Sequence, residues 1–116
     1  MAFQMQRACI VLVAVHFLTP PAVAEDGNLA IILSPADGAK LKAEQISTLE
    51  YEVKQEAKAE HVHLYIDGDE AAIGHKLKAG LQFGPLTPGD HKICISPVNK
   101  AHTRTTAQAC ITVKVQ

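Results

Sequence analysis

The chain has 116 residues, 47% of them apolar and 20% charged, with three cysteines, six histidines, no tryptophan and a formal net charge of -1. This length supports one domain, and the balanced charge and ordinary apolar content argue against a disordered tail, a collagen-like rod and an electrostatically driven nucleic-acid binder. Neither composition nor charge points to a reaction.

The N-terminus carries the marks of a secretory signal. Arg7 gives a positive start, and Ala8 to Leu18 form an apolar stretch shorter than the roughly 20 residues a membrane-spanning helix needs. Ala22-Val23-Ala24 then offers an A-x-A cleavage site, so residues 1-24 are expected to be removed and 25-116 to form a periplasmic or secreted domain. No other segment is expected to span a membrane. Cys9 sits inside the apolar run, the wrong place for a lipid-modified cysteine. Residues 25-116 keep ten Lys/Arg against twelve Asp/Glu, two cysteines (Cys94 and Cys110) and five histidines (His61, His63, His75, His91 and His102).

Beyond the signal, apolar residues recur with period two in short runs broken by turn signals, which is a β pattern. Leu29 to Leu33 forms a first strand, closed by Ser34-Pro35-Ala36-Asp37-Gly38. Leu49, Tyr51 and Val53 alternate with glutamates in a second. Val62, Leu64 and Ile66 alternate with His61, His63 and Tyr65 in a third, ended by Asp67-Gly68-Asp69. A short segment around Ala71-Ala72-Ile73 follows, then an edge-type strand from Gly80 to Leu86 interrupted by Gly84 and Pro85. Two final strands alternate Ile93 and Ile95, then Ile111, Val113 and Val115, with polar or cysteine neighbours. Lys54 to Glu60 has no apolar face and reads as a solvated connection. Seven short strands in about ninety residues predict an all-β, two-sheet sandwich of the immunoglobulin or fibronectin type III kind, with a small barrel as the alternative.

Strand parity then locates the chemistry. Residues two apart share a face, so burial of Val62, Leu64, Ile93, Ile95, Ile111 and Val113 sends His61, His63, Cys94 and Cys110 outward. In the immunoglobulin-like order the third, sixth and seventh strands are neighbours, which gathers these four side chains on one outer face. Cys94 and Cys110 stand opposite each other across the last hairpin. They either form a disulfide, favoured by an oxidising compartment, or serve as thiolate ligands beside the two histidines. His61 and His63, about 7 Å apart on one strand, can converge on one ion, since imidazole suits zinc and copper alike. His102, at the tip of the last hairpin, is a third candidate ligand. His91 reads as structural beside its turn, and His75 as a solvated loop residue. Two exposed histidines on a wet sheet face are the plain alternative.

Other chemistries fail on residue content: there is no phosphate-cradling glycine loop, no G-x-S-x-G elbow and no H-E-x-x-H helix. The chain is therefore not expected to be an enzyme. The segment His61 to Gly68 (H-V-H-L-Y-I-D-G) resembles an H-x-H-L-x-I-D strand found in a family of small bacterial exported domains. Ser34 to Ala39, Leu86 to His91 and His102 resemble other short motifs of that family. The resemblance implies a periplasmic immunoglobulin-like domain and no particular activity. The S-P-A-D-G-A turn is also similar to the opening of CopC-type periplasmic copper carriers. Those carriers use a histidine at the processed N-terminus, whereas this chain would start at Glu25, so their site does not transfer. The sequence thus predicts transition-metal binding, copper before zinc, through His61 and His63, with His102 or the two cysteines, Cys94 and Cys110, assisting. The rival expectation is an interaction module that docks a periplasmic protein partner without metal.

Overall fold

A computed structural model describes residues 29-105 and 107-116. The expected signal peptide lies outside these residues. Among the described residues eight strands form: β1 (Ala30–Ser34), β2 (Lys40–Leu41), β3 (Ser47–Val53), β4 (His61–Ile66), β5 (Asp69–Gly74), β6 (Lys78–Phe83), β7 (Gly89–Val98) and β8 (Ala109–Val115). They build one sheet in the order β1-β3-β6 and another in the order β2-β8-β7-β4-β5, a two-sheet sandwich as the alternation predicts.

The core follows strand parity. Leu49, Tyr51 and Val53 from β3 meet Val62 and Leu64 from β4, Ile93 and Ile95 from β7, and Ile111, Val113 and Val115 from β8, all of them buried. Each large aliphatic side chain so buried stabilises the fold by roughly 1.5–3 kcal/mol. Tyr51 also fixes a loop, because its hydroxyl donates to the Lys76 carbonyl between β5 and β6. Gly74 is required there, since a Cβ would collide with that hydroxyl.

Three features depart from the sequence expectation. β2 is an eighth strand, too short to show alternation, that runs parallel to β8 and pairs Lys40 with Lys114. The Lys54-Glu60 connection is not wholly solvated: it holds a 3-10 turn over Gln55–Ala57, and Ala57 packs into the core. The third departure concerns the histidine face. His61 and His63 do point away from the core, but they are only 5% and 8% exposed instead of open to water.

The cause of that burial is the length of β7. Its pairing with β8 ends at Ile95 and Ala109, yet β7 continues to Val98 along β4. The chain then turns back over the sheet. Val98 bridges to Arg104, the Thr105 N–H donates to the Pro97 carbonyl, and the Arg104 guanidinium lies 4.7 Å from the centre of the Tyr65 ring. The connection therefore roofs the outer face that parity alone leaves bare.

Candidate metal centre

Two elements bring the three imidazoles together. His61 and His63 project from one face of β4, two residues apart. His102 arrives from the roof, on a turn organised by Asn99, whose Oδ1 accepts the Ala101 and Thr103 N–H groups at 3.0 Å each. The Asn99 carbonyl also accepts the His102 N–H, and His102 takes a left-handed backbone with φ 60°. A folded turn, not a loose tip, thus aims this ring inward.

The ring nitrogens converge. His61 Nε2 lies 3.1 Å from His63 Nε2 and 3.2 Å from His102 Nδ1, and the last pair is 3.4 Å apart. At most one proton can sit between any two of these atoms, so three imidazoles cannot satisfy one another with hydrogen bonds alone. A cation can satisfy all three. A point at the roughly 2.0–2.1 Å of a zinc–imidazole bond from every nitrogen lies roughly 0.8 Å out of their plane, with angles of about 100–110° between bonds. Such angles are those of three corners of a tetrahedron.

The surroundings favour lone pairs aimed at that point. His61 Nδ1 faces Glu60 Oε1 at 3.7 Å, and His63 Nδ1 faces Glu70 Oε1 at 3.9 Å with the Tyr65 hydroxyl at 3.5 Å. Carboxylates on that side favour a proton on Nδ1 and leave Nε2 free to bind, the usual arrangement behind a metal-bound histidine. Burial pushes the His61 pKa down, and the neighbouring His102 and His63 add to this, while Glu60 opposes it. His61 is accordingly neutral near pH 7. The buried Ser96 hydroxyl, opposite His63 on β7, has no hydrogen-bond partner among the described residues. It is available to whatever enters the site.

The cysteines share that face but are not part of the cluster. Cys94 and Cys110 are directly opposed in the β7–β8 register and form a disulfide, so their alternative role as thiolate ligands is corrected. The bond lies one residue pair from where the two strands part, and closes the loop that carries His102. His91 is structural, as its place in the sequence suggests: its Nδ1–H donates to Asp67 Oδ2 at 2.6 Å and its Nε2–H to the Thr87 carbonyl at 2.7 Å. Asp67 Oδ1 accepts the Lys92 N–H as well. That bonding raises the His91 pKa and lowers that of Asp67. Sequence reasoning missed Glu60, Glu70 and Ser96, whose approach depends on register, and it set aside His75, whose ring centre lies 6.4 Å from that of His61.

No family model matches the chain, and no curated protein matches it in sequence. Solved structures do resemble it. A fibronectin(III)-like module of Clostridium thermocellum CbhA aligns at TM-score 0.65 and 10% identity, over 75% of this chain and 95% of the module. A Jonesia denitrificans lytic polysaccharide monooxygenase aligns at TM-score 0.55 and 9% identity, over 80% of this chain and 81% of that one. An engineered protein aligns at TM-score 0.55 and 18% identity, over 75% of this chain and 20% of its own. At such identities the likeness concerns the fold, and the chain is a fibronectin III-like β-sandwich.

Proposed function

We propose that this protein is an exported, non-catalytic metal-binding sandwich that holds a transition-metal ion through His61 Nε2, His63 Nε2 and His102 Nδ1. The observation that carries the reading is the convergence of three imidazole nitrogens at 3.1 to 3.4 Å, two of them on buried rings. Near-tetrahedral angles favour zinc, with cuprous copper as the second choice. A tetragonal cupric site would need one pair of nitrogens trans to each other at roughly 4.1 Å, so this reading puts zinc ahead of the copper expected from the sequence. The Cys94–Cys110 disulfide suits an oxidising compartment and supports export. A docking module without metal gives no reason for three imidazole nitrogens to converge within 3.4 Å of one another.

Calorimetric titration of zinc into the protein and into the His61→Ala/His63→Ala double variant tests the reading. One zinc per chain is expected, with binding lost in the double variant while circular dichroism stays unchanged. Equal affinity in both proteins would remove the site.

A further inference from the structure

We propose that His75 is the fourth ligand of this centre, so that the ion is enclosed by four imidazoles and keeps no bound water. The inference rests on the metal-binding reading above and deepens it. The β4–β5 register carries the argument: Val62 pairs with Gly74 at the end of the ladder, and extending that ladder by one residue sets His75 against His61. Opposed residues of an antiparallel pair point to one face, so the His75 ring shares the face of His61 and His63. Its backbone is anchored, because the adjacent Lys76 carbonyl accepts the Tyr51 hydroxyl and the Leu77 carbonyl accepts the Val53 N–H. Its ring is exposed and makes no hydrogen bond among the described residues.

Distances decide how far that ring must travel. Imidazoles that share a tetrahedral ion at 2.0–2.1 Å have ring centres roughly 5 Å apart. The rings of His61, His63 and His102 already meet this, at 4.6 to 5.5 Å, and His75 stands 6.4 Å from His61. The ring must therefore close on the cluster, which a side-chain torsion change on a fixed backbone can accomplish. The consequence is functional. Three protein ligands leave an open position at which a metal-bound water can react, whereas four close the site. An exposed fourth ligand at the rim would displace the last water on loading and leave first on transfer, which is the behaviour of a site that carries an ion.

Cobalt(II), a coloured stand-in for zinc, tests this with the wild type and His75→Ala. In the wild type, added azide should leave the visible spectrum of the cobalt protein unchanged, because no exchangeable position remains. In His75→Ala, azide should shift the spectrum. Cobalt affinity should also fall by at least the roughly 10-fold that loss of even an outer-shell partner costs. An azide response in the wild type overturns the fourth ligand whatever the affinities, and so does equal affinity in the two proteins. Failure of both proteins to take up cobalt overturns the metal-binding reading itself, and the fourth ligand with it.

Discussion

The five-stranded sheet, β2-β8-β7-β4-β5, carries histidines at both ends, and they behave in opposite ways. At one end His91 meets a carboxylate and a carbonyl, both of which accept its protons, and it is held charged and structural. At the other, His61 is buried among imidazoles and is held neutral, with a lone pair to offer. The same side chain on the same sheet becomes a clamp or a ligand according to what faces it. Spacing along the strand does not distinguish the two, but the partner does.

The largest effect that sharpens this contrast is loss of metal. Replacing His102 by alanine should weaken zinc by about 10-fold or more, measured calorimetrically, while His91→Ala should leave zinc affinity unchanged. A drop in zinc affinity in His91→Ala would break the distinction between the ends. Next comes the disulfide. Its two cysteines are 16 residues apart, and opening the loop in Cys94→Ser/Cys110→Ser should cost about 3 kcal/mol in denaturant unfolding by chain-entropy reasoning. Zinc affinity should fall with it, because the loop it closes carries His102.

How much of this was legible in the sequence follows from what each inference needed. Parity required only period two, and so Val62, Leu64, Ile93, Ile95, Ile111 and Val113 were correctly sent inward and the opposed cysteines correctly paired. The roof was not legible. That β7 outruns β8 by three residues has no signature in Ser96-Pro97-Val98, so His61 and His63 read as wet when they are covered. His75 was hidden by a subtler feature. The Asp67-Gly68 turn sets Ile66 against Asp69, and a plain ladder from there would put Gly74 opposite His61. The irregularity between Leu64 and Tyr65 shifts the register by one, so that Gly74 pairs with Val62 and the next residue, His75, follows on the His61 side. One extra residue in a strand decides which side chain joins the cluster.

Smaller effects probe the clamp end. Asp67→Asn should remove the His91 clamp, costing the roughly 0.2–1 kcal/mol of an exposed ion pair. The sign with pH follows from the shifts. His91, raised, contributes stability that is full below its unfolded pKa near 6.5 and is lost as pH rises through its higher folded value. Asp67, lowered, contributes stability present above 3.8 and lost as pH falls through its folded value. The difference in stability between wild type and Asp67→Asn, measured by urea unfolding across pH, should therefore be greatest between about pH 4 and 6.5. Smallest of all, Arg104→Ala removes a cation stacked on Tyr65 and should cost about 0.5 kcal/mol in the same assay, with slight loosening of the roof.

Nitrogen-15 NMR of the histidine rings during zinc titration addresses the two ends at once. The account predicts that His61 Nε2, His63 Nε2 and His102 Nδ1 move together to the shifts of metal-bound nitrogen at one equivalent, while both nitrogens of His91 stay protonated and unmoved. Zinc that leaves those three nitrogens where they were, or that moves His91 in their place, would contradict it.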